Sequence, residues 1–163
     1  MPNFKIRTCT QEDIGILTET IRKAFRDVAE RFGLTLDNAP HHPSNCTNNW
    51  IRYDMERGVI YFVLEIENKV VGCVACEKAS SNVCYLERLA VLPEQRQQGL
   101  GKALINQVLS KAGELGTDGV SIGIIAEHTE LKNWYKKIGF TEGESRKFLN
   151  LPFLVTFMSY KLL

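Results

Sequence analysis

Apolar and polar positions alternate with two different periods along this chain, and the changes of period mark its elements. Phe4 to Thr8 alternates as a short strand does. Thr10-Gln11-Glu12-Asp13 then reads as a capping-box-like start. Ile14, Leu17, Ile21, Phe25, Val28 and Phe32 recur at spacings of three and four, which predicts an amphipathic helix ending at Gly33. Its aromatic residues are read as core packing. Asn38, Pro40 and Pro43 break the period, and a second helix is expected from Ser44, carrying Trp50, Ile51 and Met55 and ending at Gly58.

Val59 to Ile66 and Lys69 to Lys78 read as strands joined at Glu67-Asn68. Ser80-Ser81-Asn82 leads into a third strand, 83 to 91, so three sequential antiparallel strands form a platform. On a two-residue period Tyr85, Glu87, Leu89 and Val91 share one face of that third strand, and Cys84 points to the other. After Gly99 the rows Leu100, Leu104, Val108, Leu115 and Ile105, Leu109, Ala112 make a helix whose wide apolar face must lie on a sheet. Gly116 to Gly119 returns the chain to Val120–Ile125, an apolar strand that the crossover makes parallel to strand 83 to 91. A short helix from Thr129 to Lys137, Gly139, and a hairpin of Phe140–Phe148 with Phe153–Lys161 complete the chain.

The 163 residues, 44% of them hydrophobic, suit one domain spanning residues 1–163. A net charge of +1 advertises no basic face for nucleic acid or an acidic membrane. Met1-Pro2-Asn3-Phe4-Lys5 has no apolar leader core and no run approaches a membrane span, so a cytoplasmic protein is expected. Five cysteines (Cys9, Cys46, Cys73, Cys76, Cys84) lie in apolar segments and read as buried thiols in a reducing compartment. Cys73 and Cys76 fall on opposite faces of a strand, a poor redox or zinc pair. His41-His42 with Cys46 lacks a fourth ligand, so no metal is expected. Cys84 has no His or Asp nearby in sequence to make it a nucleophile.

The candidate chemistry lies at Leu92-Pro93-Glu94-Gln95-Arg96-Gln97-Gln98-Gly99-Leu100-Gly101-Lys102, where a strand runs through a polar loop into a helix. Unpaired N–H groups and the dipole at such a helix start bind anions, and two glycines let a phosphate approach the backbone. Arg96 and Lys102 add positive charge. A P-loop needs four residues between its glycines and a hydroxyl after the lysine; here one residue separates them and Ala103 follows. A Rossmann turn needs a third glycine where Leu104 stands.

Arg96-Gln97-Gln98-Gly99-Leu100-Gly101 resembles the pyrophosphate loop of the GNAT superfamily of N-acetyltransferases. Leu86 to Pro93 is similar to that family's fourth strand, and Trp134-Tyr135-Lys136-Lys137-Ile138-Gly139-Phe140 to its Tyr-containing segment ending in Gly-Phe. The resemblance is close over residues 59 to 140 and extends to the first 58 by pattern. It implies a single α/β domain with a mixed, mostly antiparallel sheet flanked by helices and splayed between the fourth and fifth strands. It implies direct transfer of acetyl from acetyl-CoA, with no metal, to an amine of a small molecule or protein. Other acyl groups remain open, and so does homodimerisation.

Carried onto this chain, the resemblance places pantetheine against the backbone of Leu89, Ala90 and Val91, with an amide near Val91 on the thioester oxygen. The pyrophosphate would lie over Arg96, Gln97, Gln98, Gly99, Leu100, Gly101 and Lys102. Tyr135 falls on the tyrosine that faces the CoA sulfur and would protonate the leaving thiolate. His128 stands where many members have a pantetheine-contacting asparagine; it could make that contact, transfer a proton, or cap the helix. Trp50 and Tyr53 fall in the acceptor wall. An amine with a pKa of about 10.4 is almost wholly protonated at pH 7, so a base is needed, and Glu87 is the candidate, with a salt bridge or a substrate-orienting role as its alternatives. The competing classes are a noncatalytic acyl-CoA-binding domain and a nucleotide-binding domain.

Overall fold

The computed structural model describes residues 3–163; Met1 and Pro2, part of the N-terminal stretch read above, lie outside the described residues. In chain order the elements are β1 (Lys5–Thr8), α1 (Ile14–Phe32), α2 (Asn48–Glu56), β2 (Ile60–Ile66), β3 (Lys69–Lys78), β4 (Val83–Val91), α3 (Leu100–Glu114), β5 (Gly119–Ile125), α4 (Thr129–Ile138), β6 (Thr141–Lys147) and β7 (Leu154–Lys161). All seven strands join one sheet in the order β1-β2-β3-β4-β5-β7-β6. Every pair is antiparallel except β4 with β5, the pair made parallel by the α3 crossover.

The helix starts are set by side-chain caps. The Asp13 carboxylate accepts the Thr10 N–H at 2.8 Å, as the capping-box pattern predicted; a single 3-10 turn intervenes before α1 begins at Ile14. Gly33, at φ +64, closes α1 in the left-handed cap expected of it. The second helix starts later than the expected Ser44. Pro43–Asn45 forms its own 3-10 turn, Cys46 leaves it extended, and Thr47 Oγ accepts the Trp50 N–H to open α2 at Asn48.

Side-chain alternation gives the sheet two apolar faces. Leu104, Ile105 and Val108 of α3 pack with Phe62, Leu64, Val74 and Cys76 on one face, together with Tyr135 and Phe140. Leu17 and Ile21 of α1 and Ile51 of α2 pack with Tyr61, Val63, Cys73 and Ala75 on the other. Cys73 and Cys76 therefore belong to different cores, and Cys84 lies buried on the α3 face.

One strand departs from the simple period. Cys73 pairs with Ala90 but Ala75 with Glu87, so Arg88 and Leu89 together oppose Val74. This is a β-bulge, and Arg88 sits in it at φ +52, a left-handed conformation that costs a residue with a Cβ about 1–2 kcal/mol. The bulge corrects the expectation that Tyr85, Glu87, Leu89 and Val91 share a face. Cys84 and Leu86 join the α3 core before it, but Leu89 and Val91 join that core after it. The backbone changes phase as well. Val83 O accepts the N–H of Ala79, the residue just after β3, at 2.9 Å at one end, and Leu92 N–H donates to Val71 O at 2.9 Å at the other. Odd residues therefore bond β3 before the bulge and even residues after it.

The pairing of β4 with β5 covers Val83 to Tyr85 and stops there. Beyond Tyr85 the two strands diverge, which is the splay expected between the fourth and fifth strands.

Gly72 of β3 lies under α3, where an added Cβ would stand 2.9 Å from Ala90 O and 3.2 Å from Leu104 Cδ1. The backbone oxygen has nowhere to retreat. Gly72→Ala should therefore lower stability by about 1–3 kcal/mol in urea denaturation; an unchanged midpoint would show that β4 gives way freely.

Candidate active site

Between β4 and α3 the chain makes a 3-10 turn at Pro93–Gln95 and then passes through two left-handed residues, Gln97 (φ +64) and Gly99 (φ +79). Left-handed steps among extended and right-handed residues turn successive N–H groups toward one side, as in an anion-binding nest. Gly99 occupies the N-cap of α3 and brings no side chain to it. The first-turn N–H groups stay free at the positive end of the helix. Gly101 is glycine for a further reason: a Cβ there would come within 3.0 Å of the Trp134 ring, which α4 presses onto the start of α3.

Arg96 is not the free cation the sequence suggested. Its Nε donates to Val91 O at 3.1 Å, and its terminal nitrogens donate to Ala24 O at 2.7 Å and Asp27 at 2.6 Å. The guanidinium thus ties the end of β4 to α1. Partial burial would raise the Asp27 pKa, but the hydrogen bond and charge of Arg96 outweigh it and hold the carboxyl below its ordinary range. Lys102 is exposed on the first turn of α3 and supplies the mobile charge.

The Val91 peptide group faces away from β3. Ala90 and Leu92 are in phase with that strand, so the group between them turns to the other side, where its oxygen receives the Arg96 bond. Its N–H points into the gap that β5 has left. An unpaired strand amide beside an uncapped helix start is an arrangement for holding a carbonyl and an anion on one molecule.

Both features open on a cleft of about 660 Å³. Leu89, Ala90 and Val91 form its β4 side, and Arg96, Gln97, Gly99, Leu100, Gly101 and Lys102 line its anion end. His128, Leu131 and Trp134 close it from α4. Gln98 is outside the lining; its amide donates to Gln95 Oε1 at 3.4 Å. The far wall comes from α1, through Ala24, Phe25, Asp27, Val28 and Arg31, a contribution absent from the sequence reading. Phe25 reads from the sequence as core packing, and the helical spacing gives no sign that part of that apolar face meets a gap in the sheet. Arg31 and Glu130 pair across the rim, joining α1 to α4.

His128 caps α4. Its Nδ1 accepts the Leu131 N–H at 3.4 Å, and its ring packs on Phe32. Burial, and then the Arg31 charge, keep its pKa below the usual histidine value, so it is neutral at pH 7 with Nε2 carrying the proton. Tyr135 is only 4% exposed, edge-on between Trp134 and Phe140. Burial alone raises its pKa, so it stays a phenol at any working pH. It lies behind Trp134 and does not itself line the cleft.

Glu87 also lies outside that lining, on the sheet face shared with α1 and α2. One of its carboxylate oxygens is buried without a hydrogen-bond partner. Burial, and then the neighbouring Glu77 charge, raise its pKa, with partial relief from Arg88. On the same face Tyr53 is exposed beside Arg57, and Trp50 is covered by the Arg88 guanidinium. The imagined His41-His42-Cys46 cluster does not assemble: His42 Nδ1 is bonded to Ser44 at 2.7 Å and its ring meets Phe25.

Residues 20–140, well over half of the chain, match the Acetyltransferase (GNAT) family. The chain belongs to this family. The uncharacterized N-acetyltransferase MJ1207 of Methanocaldococcus jannaschii is 27% identical over 148 residues, covering 86% of this chain and 62% of the relative. The chain thus spans less than two thirds of that protein's length. The uncharacterized N-acetyltransferase YjgM of Escherichia coli is 27% identical over 123 residues, 74% of each chain. The PaiA N-acetyltransferase of Thermoplasma acidophilum, solved in complex with coenzyme A, superposes with a TM-score of 0.75 at 16% identity, covering 98% of this chain and 99% of its own. That likeness is one of fold, and it agrees with the GNAT arrangement of splayed strands described above.

Within this GNAT fold the His128 cap is testable by itself. His128→Ala should cost about 1 kcal/mol, and His128→Asn, which retains a capping oxygen, should cost a few tenths. Protonation of Nδ1 removes the acceptor. Because the folded-state pKa lies below the ordinary value, the cap's contribution is present above about pH 6.5 and is lost as pH falls through the folded-state pKa. Urea midpoints measured across that range should show a pH-dependent loss in the wild type that His128→Asn lacks; equal loss in both would assign the acid sensitivity elsewhere.

Proposed function

We propose that this chain binds acetyl-CoA in the splayed cleft and transfers its acetyl group directly to a primary amine in a ternary complex. One observation carries the reading: a free strand amide at Val91 and an uncapped helix start at Gly99 face the same cleft, at a strand junction where ordinary pairing would have consumed the amide. The pyrophosphate sits on the backbone N–H groups of Gln97 to Lys102, with the Lys102 ammonium beside it. Leu89, Ala90 and Val91 run along the pantetheine arm, and Val91 N–H donates a hydrogen bond to the thioester oxygen. That amide stabilises the oxygen as negative charge develops on it. His128, fixed by its cap, presents Nε2–H to the arm.

The acceptor approaches from the α2 side. Glu87, with one bare oxygen and a raised pKa, takes the proton from the ammonium, directly or through water. The amine nitrogen forms its bond to the acetyl carbon as the carbon–sulfur bond breaks. Tyr135, behind the pantetheine wall, is the proton source for the departing thiolate and regains a proton from the nitrogen, which sheds its second one as the amide forms, giving the amide and free CoA. Trp50 and Tyr53 line the acceptor's approach. The same site with no turnover, an acyl-CoA-binding GNAT domain, is favoured by one observation: Glu87 and Tyr135 both lie outside the lining of the cleft.

Acetyl-CoA or CoA at about a hundred times its Kd should raise Tm by about 5–10 °C, and ATP or NAD should not. Lys102→Glu, which reverses the charge without disturbing a left-handed glycine, should remove most of that shift. No shift with either CoA ligand would overturn the cofactor assignment. Free-thiol release in an amine screen then separates enzyme from binding domain. With a working amine, kcat/KM should rise with pH along a limb lying above the ordinary glutamate range of about 4.3, because the base must be ionised and its pKa is raised. Glu87→Gln should abolish that limb and slow turnover by about 10²–10⁴-fold; persistence of the limb would remove Glu87 from the role.

A further inference from the structure

We infer that Arg88 is a positioning residue: its side chain, anchored on the far face of the sheet, holds the β4 bulge that turns the Val91 amide into the cofactor cleft. The inference rests on the acetyl-CoA reading above and adds to it a residue that touches neither cofactor nor acceptor.

The ladder shows why the bulge matters. Before Arg88 the odd residues of β4 bond to β3; without an inserted residue Val91 would continue in that phase and its N–H would pair with β3. The extra residue reverses the phase. Val91 is released into the splay, and Ala90 takes its place on the ladder. The bulge therefore decides on which side the amide lies.

The inserted residue is poorly suited to its backbone. A left-handed position in a bulge favours glycine, yet arginine occupies it at φ +52. Its side chain supplies the compensation. The guanidinium NH1 donates to the Asp54 carboxylate of α2 and to the Tyr61 hydroxyl of β2. Tyr61 in turn donates to the same Asp54 oxygen at 2.6 Å, while Arg57 holds the other oxygen at 3.1 Å. The guanidinium also lies 5.5 Å from the Trp50 ring centroid. Asp54 and Tyr61 are both buried. A charge so enclosed stays where its partners are, because leaving them strands a buried carboxylate.

The anchor and the amide are on opposite faces. Asp54, Tyr61 and Trp50 belong with the α1 and α2 side, whereas Leu89 and Val91 face the α3 side. Arg88 thus connects the helix that walls the acceptor approach to the group that meets the thioester. Displacing α2 pulls on the bulge, and the bulge sets the direction of Val91 N–H.

Amide NMR of the full chain, titrated with acetyl-CoA and separately with CoA, tests this without knowledge of the acceptor. In the wild type the Val91 amide proton should move downfield with acetyl-CoA and much less with CoA, since only the thioester offers the oxygen. The Gly99 and Gly101 amides should respond to both. Arg88→Gly suits the backbone but removes the anchor, and it should abolish at least half of the acetyl-CoA-specific Val91 shift while the glycine responses persist. Asp54→Asn, which keeps the volume and loses the charge, should do the same and decides the matter if Arg88→Gly does not fold. Arg88→Lys should restore part of the shift. With a working amine, kcat should fall about tenfold or more in both anchor variants at little change in KM for acetyl-CoA.

A wild-type Val91 response in folded Arg88→Gly or Asp54→Asn would overturn the inference and leave the network a structural ion pair. No response of Gly99, Gly101 or Val91 in the wild type to either ligand would instead sink the acetyl-CoA reading, so the two failures are distinct.

Discussion

A strand inside a sheet has both rows of its peptide groups committed to its neighbours, and a site that grips a carbonyl needs one of those groups released. On the acetyl-CoA reading, β4 meets that need by two departures from regularity. Its ladder to β5 stops after Tyr85, and its ladder to β3 slips by one residue at Arg88. Either departure alone is insufficient. A splay without the slip would present the peptide groups of the other phase, and a slip without the splay would offer Val91 to β5. The elements around β4 serve to keep the opening from collapsing: α1 and α4 stand on its two sides, joined at the rim by Arg31 and Glu130, and Arg96 fastens the strand end to α1.

The anion end of the cleft works chiefly through the backbone. Arg96 spends its donors on Val91, Ala24 and Asp27, which leaves Lys102 as the flexible charge among the loop residues. On the acetyl-CoA reading, the attraction for phosphate would then come from oriented N–H groups and the helix dipole. That agrees with a chain whose net charge is only +1. On the proposed reading, a local arrangement of amides would bind one anion in one place without needing a basic surface.

The order of strands and helices was legible in the sequence because each rests on a local period. The α3 rows, the paired strands β2 and β3, and the parallel β5 all follow from spacing and crossover rules that need no distant partner. The start of α2 was misplaced since Ser44 and Thr47 are equally good caps by composition, and the extended Cys46 between them is fixed by its burial in the α1 core. The bulge was invisible for a deeper reason. An inserted residue leaves no mark in a strand without its partner's register, so Leu89 and Val91 were placed on the wrong face. Arg96 was read as a cation for phosphate because nothing in sequence says that α1, some seventy residues away, would reach it first. Glu87, Tyr135 and His128 were visible as types within a resemblance, but only the fold shows that His128 is already occupied as a cap and that the other two stand behind the walls of the cleft.

Trp134 fits so closely against Gly101 that a methyl group there would stand 3.0 Å from its ring, and it forms part of the cleft wall. The chain has only two tryptophans, and the other, Trp50, stacks under Arg88 on the opposite side of the sheet. The protein therefore carries two built-in optical probes, one on each face of the sheet. Emission from Trp134 senses what enters between α3 and α4, and emission from Trp50 senses whether the guanidinium above it keeps its place. With one of the two replaced by phenylalanine, each face can be followed in unlabelled protein on the stopped-flow timescale, and the order in which the two sides respond becomes a directly observable quantity.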